Sequence, residues 1–399
     1  MFDKAAAERD RWGIPGLAVG LRLAERTDTR GFGVTSVEGG APVTAATTFR
    51  IASITKPFVA TLASLVLDLD ERLETPAGPA TPRQLLSHSA GLHCEATERF
   101  EPEWSLADAL AVSELRAFGA PGELFAYSNA GFWLVGAAIE RALGQRFEEA
   151  LRERLLDPLG LASTGFDAPE AAGHEPAGPG ELEHRAFAGM AYPVARRPSG
   201  GLVSTVGDLI GFGAHHLAEP SLAFMREPLI TKPGGWYGLG WMLESRRDAT
   251  LVFHSGSVAG YESLLLLVPE RDFAFAGLSN SARGSAAIRR VCAFALRELC
   301  GLLPDEPARI ELSPEQLAPF AGRYRQDGDE ALVTAVDGGL RIELTRHDPL
   351  GGDAQEPPLL ARPVGEREFV VVEGESKGVR FDFPGRFLRM TSLLERVEG

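Results

Sequence analysis

Residues 50–60 read RIASITKPFVA and place a serine and a lysine at the start of a predicted helix. From Ser53 to about Leu69 apolar residues recur at helical spacing, which predicts a helix with one buried face. The apolar positions are Phe58, Leu62, Leu65, Val66 and Leu69. Pro57 indicates where the helix begins, because proline is tolerated in a first helical turn and disruptive further in. Ser53 and Lys56 therefore lie in the opening turn and point from the same face.

Lysine is rare in this chain: of forty basic residues, only those at positions 4, 56, 232 and 377 are lysine. Burial can lower the pKa of a lysine amine enough to make it a base, whereas arginine stays charged at any accessible pH. A serine at a helix N-terminus lies in a positive potential that favours an alkoxide. Ser53 and Lys56 are therefore a candidate nucleophile and base. The alternative is a helix-capping serine and a surface lysine, which an isolated S-x-x-K pattern favours.

A second candidate lies in residues 125–132, FAYSNAGF, where Tyr127 and Asn129 flank a serine. Tyr-x-Asn is an improbable pattern here, because the chain has five tyrosines and only two asparagines. A tyrosine beside an ammonium can relay a proton, and the asparagine amide can hold a substrate carbonyl or the lysine. The alternative is a turn asparagine that starts the next helix, with the tyrosine packed beneath it.

A third candidate lies in residues 251–261, LVFHSGSVAGY, where His254, Ser255 and Gly256 end an apolar strand. Gly256 would let another group approach the backbone closely, as an edge strand that docks a substrate requires. The alternative is an ordinary turn after a strand.

Composition excludes several classes of protein. The net charge of −15 argues against a nucleic-acid partner, because phosphate binding needs a basic surface. The longest apolar run, from Phe58, has twelve residues, short of the roughly 20 that span a bilayer. The N-terminal residues carry charges where an export signal needs a continuous apolar stretch. Cys94, Cys292 and Cys300 are odd in number and not in a metal spacing. We therefore expect a cytoplasmic protein with reduced thiols and no membrane partner.

The order of elements predicts an α/β (α+β) fold for residues 1–302. Residues 16–25 and 31–37 read as a hairpin, and four short strands follow between Tyr237 and Ser279. Residues 105–161 are mostly helical, a long surface loop is expected over 168–180, and a helix over 286–302 closes the region. Because strands lie at both ends of this region, they are expected to meet in one sheet flanked by helices.

The C-terminal part changes character. Residues 303–313 carry two prolines and several acids and resemble a linker. Residues 314–399 then alternate apolar and polar positions, with the hairpin signal VDGG at Val336. This pattern predicts a separate small antiparallel β-barrel or sandwich, and as a barrel it would resemble a lipocalin-like domain.

The three candidates, in this order, resemble the motifs of the serine β-lactamase and penicillin-recognising enzymes. Tyr-x-Asn in second place is similar to the branch of class C β-lactamases, DD-peptidases, D-aminopeptidases and related esterases. Residues 81–92, TPRQLLSHSAGL, and 199–212, SGGLVSTVGDLIGF, are similar to stretches between the motifs of that branch. The resemblance covers about residues 10–302 and implies a β-lactamase-like antiparallel sheet with a helical subdomain.

The resemblance also implies a role for each residue. Ser53 would be the acylated nucleophile, with Lys56 and Tyr127 sharing the base and acid roles. Asn129 would orient Lys56 and the substrate amide. The backbone N–H groups of Ser53 and Ser257 would form the oxyanion hole. The remaining substrate-binding positions would be His254, Ser255 and Gly256, and no cofactor or metal is implied.

His254 departs from the commonest β-lactamase pattern, which has a lysine in this position. A histidine with a pKa of about 6.5 is mostly neutral at pH 7, so an anionic β-lactam is a less obvious substrate. In having a histidine at this position, the chain resembles D-aminopeptidases and some DD-peptidases. We therefore expect a hydrolase of amides or esters, D-aminopeptidase- or carboxylesterase-like, acting on a small molecule or peptide. A β-lactamase or DD-carboxypeptidase proper and a non-catalytic peptide-binding homologue remain alternatives, and the oligomeric state is open.

A zinc site is the weakest hypothesis. His88, His93 and Cys94 lie close together in sequence, and His215 adjoins His216. Neither an HExxH pattern nor paired cysteines support metal binding, so we expect no metal.

Overall fold

The computed structural model describes residues 1–92, 103–113, 115–176, 184–186, 192–303, 306–326, 328–348, 352–355, 357–374, 376–390 and 392–397. Its helices are α1 Phe2–Arg11, α2 Thr55–Val66, α3 Pro82–Leu86, α4 Leu106–Val112, α5 Asn129–Leu143, α6 Phe147–Leu151, α7 Arg197–Gly200, α8 Val206–Ala218, α9 Gly284–Cys300 and α10 Pro314–Leu317. Short 3-10 turns include Ala52–Ile54, directly before α2. None of the helices in this part of the chain combines the length and hydrophobicity that crossing a membrane requires.

The first twelve strands are β1 Gly16–Leu23, β2 Arg26–Gly33, β3 Phe49–Arg50, β4 His174–Pro176, β5 His184–Ala186, β6 Val203–Ser204, β7 Ile230–Lys232, β8 Gly235–Tyr237, β9 Met242–Arg246, β10 Ala249–Val258, β11 Tyr261–Val268 and β12 Phe273–Ser279. Eight of them form one antiparallel sheet in the order β2-β1-β12-β11-β10-β9-β8-β7. Strand β1 pairs with β12 from Leu17↔Ser279 to Leu23↔Phe273. The prediction that strands from the two ends of residues 1–302 lie in one sheet is therefore confirmed.

Helices cover both faces of this sheet, which explains why β11 reads as a continuous apolar run. Leu264, Leu266 and Val268 pack into a core shared with α1 and α9. Leu265 and Leu267 point the other way, into the larger core that contains α2, α5 and α8. Cys292 and Cys300 on α9 are buried free thiols, as predicted, whereas Cys94 lies outside the described residues.

Three boundary predictions were wrong. The second hairpin strand runs from Arg26 to Gly33, earlier than the predicted 31–37, because it is an exposed edge strand whose polar residues hid it. Helix α2 ends at Val66, where Leu67 turns extended, and Leu65 is 57% exposed although we expected it to be buried. The predicted loop 168–180 contains β4, which pairs with β5.

The predicted C-terminal barrel is confirmed. Its strands are β13 Gly322–Gln326, β14 Asp329–Val336, β15 Gly339–Asp348, β16 Gly352–Gln355, β17 Leu359–Pro363, β18 Glu368–Val371, β19 Arg380–Asp382, β20 Phe387–Arg389 and β21 Leu393–Val397. Pairing of β14 with β15 closes eight of these strands into a ring, and β16 is attached to β15 outside it. The barrel has its own core, in which Phe320, Phe369, Phe381 and Phe383 pack together. Residues 303 and 306–313, before it, form neither helix nor strand.

Candidate active site

Ser53 lies in the tight turn before α2, between the helix and the sheet. The preceding residue, Ala52, has a φ of +45°, which is unfavourable for a residue with a Cβ atom. Strain of this kind persists only where the surrounding structure enforces it. Here the Thr55 hydroxyl donates to the Ala52 carbonyl at 2.7 Å and accepts a bond from the Leu202 N–H at 3.1 Å. The turn therefore presents Ser53 at a half-buried position next to the sheet.

Lys56 is completely buried, one turn after Ser53. Its Nζ atom lies 3.0 Å from Ser53 Oγ, 2.8 Å from Asn129 Oδ1 and 2.7 Å from the Ser199 carbonyl oxygen. The last two atoms only accept hydrogen bonds, so they occupy two N–H groups of Lys56. The third position on the nitrogen faces the serine hydroxyl. In the ammonium form it donates to Ser53, and in the amine form its lone pair faces the serine proton.

Tyr127 stands over the same amine. Its ring centroid is 4.8 Å from Lys56 Nζ, and the ring of Phe132 is 5.4 Å from that atom. Asn129 is the first residue of α5, and the Ser128 hydroxyl caps this helix by accepting from the Gly131 N–H. The second motif therefore lies where an irregular segment enters helix α5, and it brings a phenol and an amide to Lys56.

His88 holds this turn in place, a role that the sequence did not predict. Its carbonyl accepts from the Ala126 N–H at 2.8 Å, and its Nδ1 accepts from the Ser128 N–H at 3.0 Å. Its ring lies 4.2 Å from the Tyr127 ring. Burial, together with the positive charge of Lys56, holds the pKa of His88 well below its usual range, so the imidazole is neutral. Its position in residues 81–92, a stretch that resembles one between the family's motifs, was the signal from which this role could have been found.

The third motif lies on the part of β10 that has a free edge. Strand β10 pairs with β11 over 252–258 but with β9 only over 249–253. A Cβ atom on Gly256 would lie 2.2 Å from the Ile51 carbonyl oxygen and 3.0 Å from the Ser53 nitrogen. Only glycine therefore lets this strand approach the Ser53 turn so closely. The edge of β10 that does not pair with β9 therefore lies beside Ser53.

His254 is buried and neutral. Its Nδ1 lies 2.6 Å from the Ser255 carbonyl oxygen and its Nε2 lies 3.0 Å from the Tyr237 hydroxyl. Burial lowers the pKa of His254 to about 3, and the positive charge of Lys56 acts in the same direction. Because the imidazole carries no charge at neutral pH, it does not replace the cation that a lysine would supply. Tyr237 is a further residue that the sequence did not single out.

The serines around Gly256 point their side chains away from this contact. Ser255 and Ser257 are exposed, and the Ser257 hydroxyl donates to Glu262 Oε1 at 2.7 Å on the neighbouring strand. Ser263 donates to the Ile51 carbonyl at 2.9 Å, which ties β11 to the Ser53 turn. Any oxyanion contact from Ser257 would therefore come from its backbone N–H, as the sequence predicted.

Metal ligands are not grouped in the described part of the chain, where no three His, Cys, Asp or Glu side chains could share an ion. His93 and Cys94, two members of the zinc hypothesis, lie outside the described residues. His216 is buried, and its Nε2 lies 3.0 Å from the Thr61 hydroxyl.

Comparison with known proteins identifies the family. The family model described as Beta-lactamase matches residues 3–297, which include all three motifs. The chain belongs to the Beta-lactamase family. This family match supports the predicted membership of the wider group of serine β-lactamases and penicillin-binding proteins, and with it a serine hydrolase.

Relatives of this Beta-lactamase family member carry several names. Penicillin-binding protein 4 from Amycolatopsis lactamdurans is 26% identical over 364 residues, which cover 79% of this chain and 94% of the relative. The crystal structure of SurE is 26% identical with a TM-score of 0.75, covering 99% of this chain and 98% of SurE. A D-amino acid amidase from Ochrobactrum anthropi SV3, at 24% identity and a TM-score of 0.61, covers 70% of this chain and 92% of the amidase, and shares the fold. The structural similarity to SurE therefore extends over the C-terminal barrel.

Proposed function

We propose that this Beta-lactamase family member hydrolyses amide or ester bonds through an acyl-enzyme on Ser53. The observation that carries the proposal is the position of Lys56 Nζ, 3.0 Å from Ser53 Oγ, with two fixed acceptors on its other sides. A buried amine held in this way accepts the serine proton without moving. Tyr127 lies beside the same amine and shares the proton with it, so their titrations belong to the pair.

The reaction would proceed in two halves. Ser53 Oγ attacks the substrate carbonyl as its proton passes to the Lys56–Tyr127 pair. The N–H groups of Ser53 and Ser257 stabilise the oxyanion, since both belong to backbone segments that meet at Gly256. The proton then passes to the leaving amine or alcohol, which departs and leaves the acyl group on Ser53. A water molecule attacks this ester and restores the serine.

The neutral third motif favours a substrate whose recognition does not depend on a carboxylate. His254 is buried and neutral, so the third motif supplies no cation of its own. We propose D-amino-acid amides, D-configured peptides or small esters as substrates. Support for the D configuration comes from the likeness to a structure of SurE with D-Leu, which is 26% identical and covers 99% of both chains.

Labelling tests the proposal directly. A fluorophosphonate or a p-nitrophenyl ester should add one acyl or phosphonyl group to Ser53, which mass spectrometry of peptides would locate. Ser53→Ala should abolish labelling and turnover. Ser64→Ala is a matched control, because this half-buried serine lies on the same helix and donates to the Thr61 carbonyl. Activity that survives Ser53→Ala would contradict the proposal.

A substrate panel separates the alternatives. Matched D- and L-aminoacyl p-nitroanilides, p-nitrophenyl acetate and nitrocefin should be turned over with a preference for the D-amide or the ester. Rapid nitrocefin hydrolysis would instead favour a β-lactamase or DD-carboxypeptidase proper. Failure of every substrate and of the fluorophosphonate would favour a non-catalytic binding homologue.

A further inference from the structure

The turn that carries Tyr127 contacts the C-terminal barrel as well as His88. His88 binds the backbone of Ala126 and Ser128. In addition, Ala126 packs in a small buried cluster with Phe387 and Leu393 of the barrel. The ring of Phe118, which borders the cluster, meets the Phe387 ring edge-on at 5.4 Å. The barrel therefore packs directly against the residue that precedes Tyr127.

Arg389 on β20 adds a polar contact to this packing. Its Nε and Nη2 atoms bind the two carboxylate oxygens of Asp382 at 2.8 and 2.5 Å. Its Nη1 atom donates to the Phe125 carbonyl oxygen at 3.3 Å. Only 8% of Arg389 is exposed. A buried guanidinium needs a counter-charge, and Asp382 supplies it, which leaves the third arm of the fork for the backbone of the hydrolase region.

A second contact supports the same side of the site. The Gly234 N–H donates to Glu368 Oε1 on β18 at 2.9 Å. Gly234 comes just before β8, whose last residue, Tyr237, binds His254. The barrel thus contacts both backbone segments that deliver aromatic hydroxyls to the site. Two separated contacts fix its orientation better than one would.

We infer that Arg389 is a positioning residue: by holding the Phe125 carbonyl, it keeps Tyr127 at its distance from Lys56. The barrel then contributes to catalysis without touching the substrate. The inference rests on the proposed function, because it requires that Tyr127 take part in proton transfer. Geometry of this kind matters for rate, since a displacement of about 1 Å at a reacting group can cost about 10²-fold.

The test compares two arginines of the barrel, one that contacts the hydrolase region and one that contacts only neighbouring barrel segments. Arg389→Met removes the contact, and Arg389→Lys keeps the charge but loses the fork. Arg396→Met is the control. Like Arg389, Arg396 binds a backbone carbonyl, but its two acceptors, the carbonyls of Pro319 and Ala321, belong to the barrel side of the chain. Each variant is made in the full-length chain. Its melting temperature is measured, together with single-turnover acylation of Ser53 by a p-nitrophenyl ester between pH 5 and 10.

We expect Arg389→Met to acylate about ten- to hundredfold more slowly, with the midpoint of its pH–rate profile displaced because Tyr127 no longer lies at the same distance from Lys56. Arg389→Lys should recover part of the rate. Arg396→Met, at an exposed position of the barrel, should keep the wild-type rate and profile.

Two results would overturn the inference. One is a folded Arg389→Met or Arg389→Lys with the wild-type rate and profile. The other is an equal loss of rate in Arg396→Met, which would indicate a general effect of barrel stability. An unlabelled wild-type protein would reject the proposed function, and the positioning role with it. A labelled wild type with an unaffected Arg389→Met rejects the positioning role alone.

Discussion

The Tyr237 hydroxyl and the His254 Nε2 form a hydrogen bond of 3.0 Å inside the protein. The Ser255 carbonyl only accepts, so the proton of the neutral imidazole lies on Nδ1, and Tyr237 donates to Nε2. Burial raises the pKa of Tyr237 well above its usual range, which keeps this donor protonated. The pair fixes the ring of His254 beside the free edge of β10.

Tyr237→Phe should therefore lower the free energy of unfolding by about 1–3 kcal/mol, because it leaves the buried Nε2 of His254 without a donor. Acylation of Ser53 should also slow. Tyr324→Phe is the control, since that buried tyrosine donates to the Phe320 carbonyl inside the barrel. Urea unfolding should show similar losses for both variants, and equal acylation rates in the two would contradict this prediction.

Lys56→Arg should reduce acylation by at least about 10²-fold, because a guanidinium does not accept the serine proton at any accessible pH. The site is completely buried, so the larger group also has no solvent to extend into. Burst kinetics with a p-nitrophenyl ester measures the loss. Lys377→Arg, at an exposed position of the barrel region, should keep the wild-type rate. A Lys56→Arg enzyme with wild-type kinetics would exclude Lys56 as the base.

Gly256→Ala should impair both folding and acylation. The new methyl group would meet the Ile51 carbonyl at 2.2 Å and the Ser263 hydroxyl at 2.5 Å, so β10 would have to move away from Ser53. Gly165→Ala is the control, because its methyl group would meet no atom of the described residues within 4 Å. Melting temperature and labelling rate should both fall for position 256 alone, and full labelling of Gly256→Ala would argue against the close approach.

His216→Gln should flatten the pH dependence of stability below pH 6.5. Burial lowers the pKa of His216 to about 3, against about 6.5 in the unfolded chain. Between these values the unfolded state binds more protons, so stability falls as pH falls, by about 1.4 kcal/mol per pH unit for this one group. Above pH 6.5 the contribution is constant.

Urea unfolding of both proteins at pH 5, 6, 7 and 8 measures the difference in slope, in which the other titrating groups cancel. Glutamine keeps an N–H donor for the Thr61 hydroxyl, which itself donates to the Pro57 carbonyl. Identical slopes in the two proteins would show that His216 titrates normally in the fold.

Much of the fold could be predicted because apolar periodicity and turn residues are local signals. The edge strand β2 could not be placed, since an exposed strand shows no apolar alternation, and the exposure of Leu65 depends on what packs against α2. Helix α2 itself is fixed by Pro57 and by Phe58, whose ring stacks on Phe212 at 3.7 Å.

The three motifs could also be predicted, and the structure brings Ser53, Lys56 and Asn129 within hydrogen-bonding distance. The residues that support them could not. The Ser199 carbonyl binds through the backbone, so its side chain carries no signal. His88 and Tyr237 act as buried neutral partners, which only the tertiary structure reveals. Arg389 contacts the Phe125 carbonyl from the barrel, more than 250 residues away along the chain.

The pairing of β1 with β12 also governs the order of events on the ribosome. Ser279 follows its partner Leu17 by 262 residues. At about 5–20 residues per second, roughly 13–50 s of synthesis separate the two strands. Strand β1 can pair early with β2, but its other edge and the side chains of Leu17 and Val19 must wait for their partners. During that interval the nascent chain exposes an unpaired apolar edge, so its yield in cells should depend on chaperones that shield the first thirty residues or so.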